Sequence, residues 1–455
     1  MWPINTKPAG PQRAPHRRFL KDFAPLAANP SAAGEPENCR RNWRQFLRIF
    51  LHLAVLFGVF LRFRLEGRGF QLLVAVAMAA LPIHYALPYR LKKIGFVAIS
   101  LVGLGVVFGG AVMLTIVAAA TLLIGICYVP VRWGIRASLV GAVALGVASL
   151  RSGTVHSTLP AMAWPLLGTM FMFRMIVLLY ELRHVQKPER LEDVVSYFFL
   201  FPNLTFLHFP VVDYRTFLRG YFASEIHQTQ RNGLKLMTRA TFHLLAYRLV
   251  YHRIYFPMAD VRDPATLAVF LTANYLLYLR VSGQFHMAAG MLHLFGFSLP
   301  ETHHNYLLAT SFTDYWRRIN IYWKDFMIRV VFNPVMFALK RRPRGLSFAV
   351  ATGVVFVTTW VLHGYQSFWI RGAWEFTTRD ALFWGILGVL VTINVQFDLR
   401  RTKRPAKADA FTPRRLAIRG LKTAATLTTL MLLWSLWYSP SVTEWLGMLS
   451  RGLTF

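Results

Sequence analysis

Val357–Arg371 reads VTTWVLHGYQSFWIR, a histidine set inside an apolar run that begins near Leu346, just after the basic cluster Lys340–Arg344. A helix rising 1.5 Å per residue carries His363 roughly 25 Å from Leu346. The hydrocarbon core of a bilayer is about 30 Å thick, so the imidazole lies at membrane depth. Ionisable groups there are costly and face a protein-lined or water-filled cavity. Trp360 and Ser367 share the helical face of His363, one turn to either side, with Gly364 slightly offset. Two readings follow: a histidine hydrogen-bonded between helices, or a neutral imidazole poised as a general base, given its ordinary pKa of about 6.5.

The rest of the chain supports the membrane setting. Of 455 residues, 55% are hydrophobic and only 16% charged. Apolar runs of spanning length follow one another without a soluble insert, which predicts an all-α polytopic membrane protein with one membrane domain. The net charge of +31 comes from 51 Lys and Arg against 20 Asp and Glu. These bases cluster at the ends of apolar runs, where they orient spans and meet anionic headgroups. Membrane lipids are therefore the expected surroundings. Nucleic-acid binding is excluded as a reading, since no basic soluble domain exists to carry it. The two cysteines, Cys39 in a polar tail and Cys127 in an apolar run, do not suggest a disulfide framework.

Residues 1–48 read as a flexible basic tail, cytoplasmic by the positive-inside rule and lacking signal-peptide features. Residues 49–193 hold six expected spans: Ile49–Phe63, Phe70–Leu87, Ile94–Gly110, Ala111–Val131, Ile135–Leu150 and Ala161–Leu182. Ile94–Val131 is too long for one crossing, and Gly109-Gly110 offers the turn. Residues 194–400 read as the core. Val194–Val212, broken by Pro202 and Pro210, and Ser282–Phe297 are expected to be re-entrant. Tyr214–Met237 reads as interfacial, Thr238–Phe256 and Thr266–Leu279 as crossings, and Phe326–Leu339 as a dip into the bilayer. Asp380–Asp398 and Gly420–Tyr438 complete the expected spans. Arg400–Arg419 between them falls mostly in a final unit, residues 401–455, and is strongly basic.

A second constellation lies in Phe295–Pro334. If Thr313–Ile328 is one helix, Trp316, Asn320, Trp323 and Lys324 share a face, with Arg317 and Arg318 partly around from it. Asp314 can pair with either arginine. An interfacial helix anchored by aromatic and basic residues would show the same pattern. His303-His304 lack the neighbouring carboxylates or cysteines of a metal site, so no metal is expected. His286 and His293 could line a tunnel or serve helix packing. Phosphate loops, nucleophile elbows and dinucleotide fingerprints are all missing.

LFGFSLPE (Leu294–Glu301), LATSFTDYWRRIN (Leu308–Asn320) and the later Trp–x–x–His–Gly together resemble the membrane-bound O-acyltransferase family, in detail over residues 194–366. The likeness is to its bacterial branch, which modifies cell-envelope polymers and includes alginate acetylases and teichoic acid D-alanyl transferases. That branch usually carries histidine at the position of Asn320. It also often has Tyr-Ser-Asp where this chain has Gln284-Phe285-His286. The resemblance implies a bundle of about ten to twelve transmembrane helices with re-entrant elements around a central tunnel, in a bacterial cytoplasmic membrane. It implies that His363 and Asn320 are catalytic. Shared helical faces and positive charge add Trp316, Arg317, Arg318, Trp323, Lys324, Trp360 and Ser367 as expected substrate contacts. No tightly bound cofactor is implied. The donor would be an acyl-CoA or the phosphopantetheine thioester of an acyl carrier protein. The acceptor would be a hydroxyl on an envelope polysaccharide, a lipid or another extracytoplasmic molecule. An extracytoplasmic acyltransferase or polysaccharide enzyme would be a further partner. A lipid or small-molecule acyltransferase working on the cytoplasmic leaflet, or a transporter or flippase, are the alternatives.

Overall fold

The computed structural model describes residues 37–183, 190–200, 212–400 and 412–454. Among these the chain is helical, and ten helical stretches are long and apolar enough to cross a membrane. The protein is thus an all-α polytopic membrane protein. The first five spans are α1 (Trp43–Arg62), α2 (Arg68–Ala86), α3 (Tyr89–Phe108), α4 (Gly110–Tyr128) and α5 (Trp133–Arg151). Asn42 starts α1 by accepting the Gln45 backbone N–H at 3.1 Å, seven residues before the apolar run at Ile49. The expected turn between α3 and α4 is present. Gly109 adopts φ 89°, a conformation that glycine takes without steric cost. In α4, Ile116, Ala120 and Leu123 are buried while Leu114 and Leu122 are exposed. An apolar outer face of this kind suits lipid rather than water.

The sixth span, Ala163–Leu182, runs through α6 (Ala163–Pro165), a π-helical turn at Leu166–Phe171, and α7 (Met172–Leu182). Then come α8 (Leu191–Phe198), α9 (Tyr214–Gly220) and α10 (Ile226–Arg253). The expected re-entrant element at Val194–Val212 falls largely outside the described residues. The division of Tyr214–Phe256 into an interfacial segment and a crossing is corrected: Ile226–Arg253 is one 28-residue helix. It buries Gln230, Thr229 and Thr241 against its neighbours and is too polar to rank among the spans.

A second correction concerns Ser282–Phe297. The expected crossing and re-entrant segment are not separate elements: α11 (Pro264–Leu276) and α12 (Leu279–Leu294), divided only by Leu277 and Tyr278, form one 31-residue stretch long and apolar enough to cross a membrane. After it, α13 (Phe312–Arg318) and α14 (Ile321–Met327) lead through a π-helical turn at Ile328–Phe332 into α15 (Asn333–Ala338). Then follow α16 (Arg344–Arg371), α17 (Thr378–Arg400), α18 (Pro413–Tyr438) and a short amphipathic helix, α19 (Val442–Leu453).

The His363 helix is α16, and it packs against the π turn of the sixth span and against α17. Its Trp369 lies on Gly168 in the π turn, where a side-chain carbon would fall 1.9 Å from the indole. Its Tyr365 hydroxyl donates to the Gly168 carbonyl at 3.3 Å. Its Phe356 meets Trp384 of α17. Beyond the bundle, Glu181 and Asp213 both pair with Arg329, and Glu181 also pairs with Arg215 at 2.8 Å. That network ties the end of α7 to the start of α9 and to the π turn after α14. Glu181 is buried, and a buried charge is tolerable only when paired in this way.

Candidate active site

A cavity of about 580 Å³ lies beside α16. Trp360, His363, Gly364, Ser367 and Arg371 line it, so it follows the helix for roughly 16 Å. Opposite stand Trp316, Asn320, Trp323 and Lys324 from the α13–α14 region, and Tyr275 and Tyr278 from the α11–α12 stretch. Trp384 of α17 and Trp434 and Trp437 of α18 close the third side.

The expected helix Thr313–Ile328 is not continuous. Ile319 is extended and Asn320 is left-handed, at φ 41° and ψ 60°, which breaks the run into α13 and α14. Asparagine tolerates this region because its short polar side chain can bond locally. Here its side-chain oxygen accepts the Trp323 backbone N–H at 3.3 Å and so caps α14. The loop before α13 holds both sides of the turn. His304 N–H donates to the Arg318 carbonyl at 2.9 Å, and Ile321 N–H to the Thr302 carbonyl at 2.8 Å. The break does not scatter the four side chains: Trp316, Asn320, Trp323 and Lys324 still line one cavity with His363.

His363 is half-buried and ringed by indoles. Trp384 is tilted against it, with centroids 4.8 Å apart and planes at 32°. Trp437 meets it edge to face at 5.7 Å and 87°, and Trp323 is 6.1 Å away. The Trp323 indole N–H donates to Thr359 on α16 at 3.4 Å, which links the capped helix to the His363 helix.

The cationic residues divide. Lys324 lines the cavity and pairs with Asp325 at 2.9 Å. Arg317 is exposed, and neither it nor Arg318 lines the cavity. Arg318 is held by Asp314 at 2.7 Å. Burial alone would lift the Asp314 carboxyl, but bonding to Arg318 and to the Thr310 backbone N–H brings it below its ordinary value. At the opposite end of the cavity, Ser367 donates to Glu375 at 3.3 Å, and Glu375 pairs with Arg371. Asp380 and Arg379 stand beside them.

Residues that isolated stretches did not reveal are Trp384, Trp437, Asp380 and Glu375. The one signal for them was the tryptophan-rich MLLWSLWY at Met431–Tyr438. His286 and His303 are buried away from His363. The Tyr278 hydroxyl meets His303 Nε2 at 2.9 Å, while Thr302 bridges His303 and His286 at 3.2 and 3.3 Å. Burial pushes the His303 imidazole well below its ordinary pKa, so it is neutral. His293 is likewise buried, against the Ala289 carbonyl, and His304 is exposed beside Glu301.

The arrangement offers a base, amide and indole donors, and a cation around a void rich in aromatic side chains. That equipment suits proton transfer on a small bound group. No protein-family model matches the chain, and none of the curated proteins compared with it matches either.

Proposed function

We propose that the protein is a membrane-embedded O-acyltransferase that moves an acyl group from a thioester donor to an acceptor hydroxyl, with His363 as general base. One observation carries the reading: His363 and Asn320, the two residues marked by the resemblance, stand on the wall of the same cavity. In the reaction, the imidazole takes the acceptor hydroxyl proton as the oxygen attacks the thioester carbonyl. The tetrahedral intermediate then expels the thiolate, and the imidazolium returns the proton to sulfur. Asn320 uses its oxygen to cap α14, so its NH₂ is the part that can donate to the developing oxyanion.

The donor is an acyl-CoA or an acyl carrier protein thioester, met at the Lys324 end of the cavity. By the positive-inside rule Lys340–Arg344 and the N-terminus are cytoplasmic, in a bacterial inner membrane. His363 then lies about 28 Å along α16 from Arg344, past the midplane of a core about 30 Å thick. The acceptor, an envelope polysaccharide, lipid or other extracytoplasmic hydroxyl compound, enters at the Arg371–Glu375 end. The test is transfer of a labelled acyl group from its CoA or carrier-protein thioester to membrane or envelope fractions by the purified protein. Label in a hydroxylamine-sensitive ester product supports the reading. A thioester left intact with every donor and fraction contradicts it.

A further inference from the structure

The Trp437 indole N–H donates to Asp380 Oδ1 at 2.6 Å. The other carboxylate oxygen of Asp380 accepts from the Thr377 backbone N–H at 3.2 Å and from the Thr377 hydroxyl. Phe383 stacks on Trp437 at 4.7 Å with planes 12° apart. The Trp437 ring is therefore held along its N–H edge and across its face before it reaches His363. One turn beyond Asp380 on the same helix, Trp384 is 8% exposed and faces the imidazole at 4.8 Å, tilted by 32°. Membrane-belt tryptophans sit at the lipid–water boundary; these two pack inward on a histidine.

An imidazole turns readily about its last side-chain bond, whose wells are broad. A general base must nevertheless aim one nitrogen at the acceptor proton within about 10–20°. In acid–histidine pairs a carboxylate does this by binding the imidazole N–H directly. We infer that here Asp380 orients His363 at one remove: its carboxylate fixes the Trp437 indole, and Trp437 and Trp384 together fix the plane of the imidazole. Asp380, Trp437 and Trp384 are thus positioning residues, contributed by α17 and α18. The consequence for catalysis rests on His363 being the base, but the clamp on its ring does not.

Two measurements separate these points. In acyl transfer, Trp384→Leu and Asp380→Asn each lower kcat by about 10- to 100-fold while the donor KM stays constant. Trp384→Phe, which keeps a stacking face, restores most of the rate. Asp380→Asn added to Trp437→Phe causes no further loss, because both act through one contact. An equal loss in both backgrounds, or wild-type turnover by Trp384→Leu, would overturn the inference. Independently of transfer, carbethoxylation of His363 by diethylpyrocarbonate, followed by mass spectrometry of its peptide, reads access to the ring. The rate should rise on the order of tenfold in Trp384→Leu as the face covered by the indole opens. Equal rates in wild type and variant contradict the clamp. A protected His363 in a protein that transfers nothing would retain the clamp and remove the acyltransfer reading.

Discussion

The Asn320 side-chain oxygen accepts the Trp323 backbone N–H at 3.3 Å, and Trp323 in turn reaches Thr359, one turn before His363, at 3.4 Å. Asn320, one of the two residues singled out by the resemblance, is thus a helix cap that positions an aromatic wall of the His363 cavity.

This dual role separates by substitution. Asn320→Ala should lose both the cap and the left-handed tolerance, for a destabilisation of roughly 1–3 kcal/mol. Asn320→Gly keeps the backbone conformation and should cost only a few tenths of a kcal/mol, about the difference between an Asn and a Gly cap. Its turnover should still fall if the amide serves the oxyanion. Thermal unfolding and initial rates of the two variants check this; Asn320→Gly at the wild-type rate would leave the amide with a purely structural task.

Donor capture should depend on Lys324 rather than on its arginine neighbours. Lys324→Gln is expected to raise the donor KM at low salt, and the effect should shrink as salt shortens the screening length from about 10 Å at 0.1 M to about 3 Å at 1 M. Arg317→Gln should leave KM unchanged, since Arg317 is exposed and outside the cavity. A KM that follows Arg317 and ignores Lys324 would place the donor elsewhere.

The contact between Gly168 and Trp369 predicts sensitivity to one methyl group. Trp369 is 2% exposed, so its ring has little room to retreat. Gly168→Ala should therefore destabilise the solubilised protein by about 1–3 kcal/mol, as overpacking does. Thermal unfolding in detergent reads it, and an unchanged midpoint would mean that the π turn shifts freely.

The orientation of α16 is open to labelling. In a background lacking Cys39 and Cys127, Ser367→Cys should react with a membrane-impermeant maleimide from outside the cell. Gly345→Cys should react only in inside-out vesicles. Labelling of Ser367→Cys from the cytoplasmic face alone would reverse the proposed acceptor route while leaving the role of His363 intact.

The spans were legible because burial in lipid demands long apolar runs, and Gly109 marked the one turn that such a run hides. His363, Trp360 and Ser367 were legible because helical spacing alone aligns them. The Asn320 group was found for a partly mistaken reason: the four side chains meet across a broken helix, not along a continuous one. Asparagine suits a helix or a left-handed turn alike, and only the hydrogen bonds from the Thr302–His304 loop decide between them. Trp384, Trp437 and Asp380 were out of reach because their roles arise from how α17 and α18 pack beside α16. Ile226–Arg253 was misdivided because four of its polar residues, His227, Thr229, Gln230 and Thr241, are buried against other helices while most of its charged residues stay exposed.

The account stands or falls on His363. Wild-type protein and His363→Ala, purified in the same detergent and matched for thermal unfolding, should be compared for thiol release from an acyl thioester in the presence of acceptor. The expected result is loss of at least about 10²–10⁴-fold in rate for His363→Ala, the contribution of a general acid–base group, with folding intact. Wild-type turnover by a folded His363→Ala protein would contradict the central claim.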